Sequence, residues 1–338
     1  MDTLKYIARR TGFGLVPQLV AVSFVAFFLL RLLPGNAADV LLGPNATKER
    51  IASLRQSMGL DDPIHVQYGR YLDGLFHGDL GRSWFSRQPV LHDLIERAPA
   101  TLELIAYSLV VAMVVGIALG MLSAARDGTR VGTATRWVTQ TAGSFPDFWI
   151  ALIGIFVFYH LLGWAPAPIG RLDIAVLRPE TITGFHTVDS ALTGNVRALL
   201  SSAAHLVLPV MSLGLILSIT VAKTARASMI EVLRSDYIRY ARASGMTNAR
   251  VYRSAIRNAA PPIVTLLGIL MAYLLGGAVL MEQVFSWGGV GQYAVTAVGN
   301  ADFAPIQGFL LVTATFTMLV YLAVDVIVRA IDPRARVK

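Results

Sequence analysis

The sequence predicts an all-α integral membrane protein with six transmembrane helices, and three observations support that prediction. Of its 338 residues, 55% are hydrophobic and only 15% are charged, whereas ordinary soluble domains carry roughly 25% charged residues. Six charge-free, mostly apolar stretches contain 20 to 25 residues each, and a helix that crosses a bilayer needs about 20 such residues. The buried helices of a large soluble protein would not supply six runs of that length.

The six runs follow one another along the chain at Thr11–Leu30, Leu104–Ala125, Phe148–Gly170, Ala198–Ala222, Asn258–Met281 and Phe303–Val324. Basic residues precede the first run, as in a secretory signal peptide, but the run is longer than the roughly 7–15 apolar residues of such a peptide. The helix stop Pro34-Gly35 then predicts a retained first span. A further charge-free stretch, 283–301, contains four glycines and several polar side chains, so we interpret it as a structured connection.

The spans divide the chain into segments with different predicted surroundings. Residues 1–35 form an N-terminal tail and the first span, residues 36–100 an extracytoplasmic segment, and residues 101–330 a core with the other five spans. A basic loop near 228–260 lies within this core, and residues 331–338 form a short tail. Apolar stripes at helical spacing in the extracytoplasmic segment predict that it is folded.

Lys and Arg are distributed unevenly between the two sides of the predicted membrane. With the N-terminus inside, the inside segments hold 18 basic residues and the two short outside segments hold 3. Short cytoplasmic segments carry an excess of Lys and Arg. We therefore expect both termini to be cytoplasmic.

The residue types exclude several classes of active site. The chain has no Cys, which excludes disulfides, thiolate nucleophiles and cysteine-ligated metals. None of its lysines follows Gly, so the phosphate-binding loop GxxxxGK[ST] of ATPases is absent. We expect no catalytic residue and no metal site in this chain. We expect it to contact membrane lipid and no nucleic acid.

Four acidic residues lie at or near the ends of the apolar runs, namely Glu103, Asp147, Glu282 and Asp325. Ionisable groups within a membrane are costly and often mark a transport path. Capping or pairing at the membrane interface is the simpler explanation for each of them, and both interpretations stay open.

The longest inside segment, from Lys223 to Arg257, is basic and has a helical pattern that Gly245 interrupts. Thr247 or Asn248 is a candidate N-cap for a short helix that would end at Pro261-Pro262. Such a helix–turn–helix can dock onto a cytoplasmic partner. Anchoring of its charges to anionic lipid is the alternative.

Five sequence blocks occur in an order that is characteristic of one family. They are Leu33-Pro34-Gly35-Asn36, Gly59-Leu60-Asp61-Asp62-Pro63-Ile64, Gly78-Asp79-Leu80-Gly81-Arg82-Ser83, Pro99-Ala100-Thr101-Leu102-Glu103-Leu104 and Tyr240-Ala241-Arg242-Ala243-Ser244-Gly245. Together they resemble the first of the two related permeases of bacterial dipeptide, oligopeptide and nickel ABC importers. Arg239-Tyr240-Ala241 stands where the general EAA loop of such permeases reads Glu-Ala-Ala.

The resemblance implies a type I ABC importer permease fold and one half of a membrane pathway, with peptide as the commonest substrate class and alternating access as the mechanism. It also implies residence in the bacterial cytoplasmic membrane with a second homologous permease, two ATPase subunits and an extracytoplasmic solute-binding protein. ATP and Mg²⁺ would be bound by the ATPase subunits, so no cofactor is expected in this chain. A secondary transporter and a membrane subunit without transport activity are the alternatives.

The resemblance also assigns roles to residues. Contact with the ATPase is implied for the loop residues Arg239, Tyr240, Ala241, Arg242, Ala243, Ser244, Gly245, Met246, Thr247, Asn248 and Arg250. For the translocation path we expect contributions from spans three and five, because adjacent small residues permit close helix approach and a Phe-Pro-Asp turn precedes span three. The path residues proposed on this basis are Phe145, Asp147, Gly276 and Gly277. Glu282, the acidic residue at the end of span five, is added to them.

Overall fold

The computed structural model of the chain describes residues 14–32, 42–43, 46–143 and 145–331. The helices within these ranges are α1 (Val16–Leu32), α2 (Lys48–Ser57), α3 (Ile64–Phe76), α4 (Val90–Ala125), α5 (Arg130–Ala142), α6 (Asp147–Gly154, continued as a π-helix over Ile155–Leu161), α7 (His186–Leu192), α8 (Val196–Leu233), α9 (Asp236–Ala243), α10 (Asn248–Val284), α11 (Val290–Gly299) and α12 (Phe303–Ile331). An isolated antiparallel bridge joins Arg82 to Pro89. The described part of the chain is therefore all-α.

Four helices of the described chain are long and apolar enough to cross a membrane, and they are α4, α8, α10 and the Phe303–Ile327 part of α12. Two shorter apolar helices, Val16–Arg31 and Asp147–Leu161, match the predicted first and third spans. The count of six spans thus stays a prediction. The block Leu33-Pro34-Gly35-Asn36, the first 13 residues and the tail beyond Ile331 lie outside the described residues.

The third apolar run is only partly helical. Pro146 is the N-cap of α6, and the π-helical part ends at Leu161. Gly163 then adopts a positive φ of +64°, so the chain leaves the helix well before Gly170. Absence of charge permits a helix but does not require one, and the turn decides where this one ends.

The helix that follows Gly245 is not short, and the prediction that it ends at Pro261-Pro262 is wrong. It is α10, which runs for 37 residues through both prolines. A proline inside a helix costs about 3 kcal/mol, but Val251, Ala255 and Ala259 form a continuous stripe that is at most 1% exposed. Packing of this stripe outweighs the local cost. The short helix of the basic segment is α9, which precedes Gly245.

The chain divides into two compact units, of which the first comprises Met1–Ala100 and Gly288–Met318. In this unit, the Phe27 ring of α1 lies 5.0 Å from the Tyr68 ring and 5.6 Å from the Tyr71 ring of α3. Farther along, the Ser83 hydroxyl donates to Asp302 at 2.7 Å and the Tyr293 hydroxyl donates to Asp93 at 3.0 Å. The extracytoplasmic segment predicted at 36–100 is thus folded where it is described, and the boundaries of the predicted segments stay predictions.

The second unit comprises Thr101–Trp287 and Leu319–Lys338, and a close crossing of α4 with α8 stands out in it. A Cβ built on Gly116 would lie 2.5 Å from Cβ of Val221, and one built on Gly120 would lie 2.6 Å from the carbonyl oxygen of Ala222. Small residues four apart allow helix backbones to approach within a membrane. The Gly116-xxx-Gly120 pattern is visible in the sequence, but our sequence interpretation missed it.

Replacing Gly120 by Leu is expected to destabilise the protein strongly. The new side chain has no space between the two helix backbones, and overpacking of this kind costs about 1–3 kcal/mol or more. Gly276→Leu is the matched control, because no atom lies within 4 Å of a Cβ built at that apolar helix position. The measurement is the thermal unfolding midpoint of the detergent-purified protein, and equal midpoints for the two variants would contradict the proposed crossing.

Candidate functional site

The residues predicted to contact an ATPase lie around one tight turn. Arg239–Ala243 belong to α9, Ser244 is its C-cap, and Thr247 is the N-cap of α10. The N–H of Met246 donates to the Ala241 carbonyl, and the N–H of Gly245 donates to the Arg242 carbonyl, at 3.1 Å each. This pattern is a Schellman motif, in which the residue after the C-cap adopts a left-handed conformation. Gly245 has that conformation, with φ +77°.

One side of α9 is anchored in the protein. Ile238 is 1% exposed and packs in a cluster with Met229 of α8 and with Val251 and Ala255 of α10. The helix has a strongly amphipathic sequence, so the burial of one apolar side chain holds it against both long helices. A force on α9 would therefore act directly on α8 and α10.

The other side of α9 and the turn after it is exposed and basic. Tyr240 is 76% exposed and Met246 is 50% exposed. The remaining members of the predicted contact set are also exposed apart from the half-buried Ala241, and they are Arg239, Arg242, Ala243, Ser244, Gly245, Thr247, Asn248 and Arg250. We call the set 239–248 with Arg250 the α9 surface. It combines aromatic, Met and Arg side chains, which are enriched at protein interfaces.

A polar cluster braces the helices behind this surface. The Arg226 guanidinium of α8 donates to the carbonyl oxygen of Ser123 at 2.8 Å and to the carboxylate of Asp127 at 2.7 Å. The hydrogen bond from Arg226 holds the pKa of Asp127 below its usual range, with help from the charge of Arg234. The α4–α5 connection is thereby tied to α8.

Two of the predicted path residues lie at the start of α6. The ring of Phe145 stacks on the ring of Trp149 with centroids 5.1 Å apart. Asp147 is the first residue of α6, and its side chain is hydrogen-bonded to Tyr273 of α10. The structure therefore joins the predicted third and fifth spans through a polar contact, and Tyr273 is a participant that no sequence signal had marked.

The other predicted path residues have different surroundings. Gly276 has no atom within 4 Å of a built Cβ, and the nearest neighbour of Gly277 is the Tyr273 ring of the same helix. Close approach to another described helix therefore does not explain these glycines. Glu282 is fully buried and accepts a hydrogen bond from Thr101, so it stabilises the packing of α4 with α10. A role in the path stays a prediction for all three.

Glu103 forms an ion pair, which agrees with the interpretation that the acidic residues at the ends of the apolar runs are capped or paired. Its carboxylate is 1% exposed and accepts from Arg171 at 2.5 Å. It also accepts from the backbone N–H and the hydroxyl of Thr187, at 3.0 and 2.6 Å. Arg171 further donates to the Gly184 carbonyl at 2.8 Å. The loop that follows the third apolar run is thus fastened to α4.

Two further ionisable groups belong to this loop. Burial raises the pKa of Asp189, but hydrogen bonds from Thr183 and Gly184 outweigh burial and hold the pKa below its usual value. Burial, assisted by the charge of Arg171, lowers the pKa of His186 to about 4. At neutral pH the loop therefore contains a neutral His and an ionised Asp.

One group of potential metal ligands exists among the described residues. The ligand atoms of His92, Asp93 and Glu96 lie within 4.8 Å of one another. The Asp93 carboxylate already accepts hydrogen bonds from Ser86 and Tyr293, and the other two side chains are exposed. These residues support no assignment of a metal.

Comparison with known proteins gives matches to two family descriptions. Residues 116–337 match "Binding-protein-dependent transport system inner membrane component". Residues 3–105 match "Binding-prot-dependent transport system membrane comp, N-term". Together the two matches cover almost the entire chain.

Relatives with assigned transport roles are similar from end to end. The dipeptide transport system permease protein DppB of Alkalihalophilus pseudofirmus is 37% identical over 98% of this chain and 99% of its own length. The probable D,D-dipeptide transport system permease protein DdpB of Escherichia coli is 40% identical over 97% of this chain and 96% of its own length. The glutathione transport system permease protein GsiC of Salmonella paratyphi A is 34% identical over 99% of this chain and 100% of its own length.

Proposed function

This chain belongs to the family of binding-protein-dependent transport system inner membrane components, and on that basis we propose that it forms one half of a peptide-conducting pathway that works by alternating access. It is a multi-pass inner membrane permease subunit of an ABC importer, and ATP is hydrolysed by partner subunits. The observation that carries the proposal is the end-to-end similarity to peptide permeases, together with the α9 surface.

The α9 surface is where we propose that the ATPase acts. ATP binding can shift a conformational equilibrium only if the ATPase contacts the two states of the permease differently. Because Ile238 fixes α9 to α8 and α10, displacement of this surface would move both helices. ATP and Mg²⁺ belong to the ATPase in this proposal, and this chain binds neither.

The proposed complete importer contains a second, homologous permease, two ATPase subunits and one extracytoplasmic binding protein. Ile269, Tyr273 and Leu280 form an exposed row on α10, at the spacing of one helix face. A polar contact such as Asp147–Tyr273 is costly against lipid. We therefore assign this face to the pathway between the two permeases, with Phe145, Gly276 and Gly277 beside it. Glu282 is fully buried on another side of α10, and its role in the path stays a prediction.

Transport by reconstituted protein tests the proposed function. The chain would be purified with its partner subunits and placed in proteoliposomes that contain ATP, with the binding protein and a labelled dipeptide outside. We expect accumulation that requires both ATP and the binding protein. Glutathione, offered separately, would distinguish the two substrate classes named for its relatives, dipeptide and glutathione.

The alternative functions give different results in the same assay. Uptake that follows a proton gradient without ATP would identify a secondary transporter. Assembly of the complex with ATP hydrolysis but no uptake of any solute would indicate a subunit without a pathway. Either result overturns the proposal.

The proposed orientation, with both termini cytoplasmic and residues 36–100 outside, predicts a labelling pattern. It rests on the 18-to-3 distribution of basic residues. The native chain has no Cys, and Ser57 and Ser244 are both exposed. In intact cells Ser57→Cys should react with a membrane-impermeant maleimide, whereas Ser244→Cys should react only after the membrane is opened. The reverse pattern would exclude this orientation.

A further inference from the structure

A cavity of about 260 Å³ lies within the second unit, between α4, α5 and α8. Its lining combines apolar groups with three cationic side chains, which are Arg136, Lys223 and Arg226. We call it the basic cavity. It is smaller than the roughly 300–1,000 Å³ of sites for drug-sized ligands, so it suits a headgroup-sized molecule better than a peptide.

The charges in the basic cavity are only partly neutralised within the chain. Arg226 is paired with Asp127 at 2.7 Å, and Arg234 reaches the same carboxylate at 3.6 Å. Among the described residues, neither Arg136 nor Lys223 forms an ion pair, and both are exposed. The charge of Arg136 also helps to lower the pKa of Asp127, so this one carboxylate is shared by three arginines. No carboxylate of the described residues lines the cavity itself, and positive charge is therefore in excess there. An anion is the ligand that this arrangement favours.

The position of the cavity along the helices indicates where that anion resides. The apolar run of α8 ends at Ala222, Lys223 follows it directly, and Arg226 comes three residues later. On α4 the lining residues Leu119 and Ser123 lie just before the apolar run ends at Ala125. The cavity is thus at the level where the hydrocarbon gives way to headgroups. In the proposed orientation, on which this inference rests, that level belongs to the cytoplasmic leaflet.

Two other features match an amphiphilic anion. Leu119 and Ala222 line the cavity next to the cations, so apolar and charged surfaces adjoin. Trp137 of α5 is 65% exposed, and Trp is enriched at the membrane–water interface. Basic pockets between transmembrane helices on the cytoplasmic side are suited to phosphate-bearing headgroups.

We infer that the basic cavity is a binding site for a phosphate group, and that its apolar lining selects the phosphate of an anionic membrane phospholipid over the free ion. Lys223 and Arg136 contact the phosphate, and Arg226 holds the wall of the site through Ser123 and Asp127. A bound lipid links α4, α5 and α8 directly behind the helices that carry the α9 surface. The lipid therefore stabilises this part of the permease.

Binding to the importer complex, purified in detergent, tests the inference without any transport assay. The probes are dioleoylphosphatidylglycerol, dioleoylphosphatidylcholine and inorganic phosphate. The readouts are retained lipid in native mass spectrometry and the thermal unfolding midpoint. We expect phosphatidylglycerol to bind and to raise the midpoint, and phosphatidylcholine to do neither. Inorganic phosphate that raises the midpoint equally would support the phosphate site but overturn its selection of the lipid over the free ion.

Variants locate the site. The double variant K223Q/R136Q should bind phosphatidylglycerol at least about tenfold more weakly, since each surface charge is worth about fivefold in lipid affinity. K223R/R136K, which keeps both charges, should retain binding and shows that the positions tolerate substitution. The matched control R253Q/R257Q removes two exposed cations of α10 outside the cavity.

Three results overturn the inference. They are the absence of phosphatidylglycerol binding to the native complex, an equal loss in K223Q/R136Q and R253Q/R257Q, and a loss of ATPase subunits from K223Q/R136Q with unchanged lipid binding. The last result would make the cavity a protein contact. Because lipid binding is measured without uptake, failure of this inference leaves the proposed transport function untouched, and failed transport leaves this inference untouched.

Discussion

Replacing Gly245 by Val is expected to reduce ATP-dependent uptake at least about fivefold while the chain remains in the membrane. Gly245 has φ +77°, and a left-handed conformation costs an L-residue about 1–2 kcal/mol, more for a β-branched side chain. No atom lies within 4 Å of a Cβ at this position, so the effect comes from the backbone alone. The Schellman turn would open, and α9 would lose its orientation relative to α10.

The control for this prediction is Gly245→Asn, because Asn tolerates the left-handed region far better than Val. It adds a side chain of similar size in the same open space, so it should retain most of the uptake. The measurements are uptake into proteoliposomes and the amount of ATPase that copurifies with the permease. Normal uptake by Gly245→Val would show that the turn geometry does not matter for coupling, and it would remove the α9 surface from the mechanism.

Glu103→Ala is expected to cause the largest loss of stability, about 3–5 kcal/mol, because it leaves the charge of Arg171 buried without its partner. Arg171 is 12% exposed in its side chain and Glu103 is 1% exposed. Thr187 would also lose the acceptor of two hydrogen bonds. The loop that carries Arg171 should therefore detach from α4, and the thermal unfolding midpoint of the purified complex should fall.

Two further variants make the Glu103 result specific. The double variant E103A/R171A removes both charges, so it should be more stable than Glu103→Ala alone. Glu96→Ala removes an exposed carboxylate from the same helix and should change stability by no more than about 0.5 kcal/mol. If Glu103→Ala behaves like Glu96→Ala, the ion pair contributes nothing to the fastening of the loop.

Much of the candidate site could be predicted from the sequence because the relevant signals are local. The α9 surface is almost one continuous stretch, so the basic helical pattern located the segment, and the family resemblance selected its residues. Thr247, with Asn248 as the alternative, was recognisable as a candidate N-cap for the same reason, and Thr247 occupies that position. The prediction failed at Pro261, where a local rule was outweighed by burial of Val251 and Ala255 against distant residues.

Other features depend on contacts between distant parts of the chain. Glu103 and Arg171 are 68 residues apart, and sequence reasoning recognised the acid without its partner. Asp147 was marked as a path residue, but its contact with Tyr273 has no periodicity or motif that would reveal it. Gly116 and Gly120 form a recognisable pattern, yet only the crossing with α8 shows that these glycines, rather than Gly276, allow a close approach within the described chain.

The sequence by itself determined that this protein is a membrane permease, because charge-free runs of bilayer length and ordered family motifs are properties of the chain alone. It also located the basic surface that we assign to coupling. Only the tertiary structure decided where α6 and α10 end, which charges are paired, and where cations surround a cavity. The physical reason is that burial and desolvation depend on which helices meet, and a helix end or an ion pair is stable only in the surroundings that those contacts create.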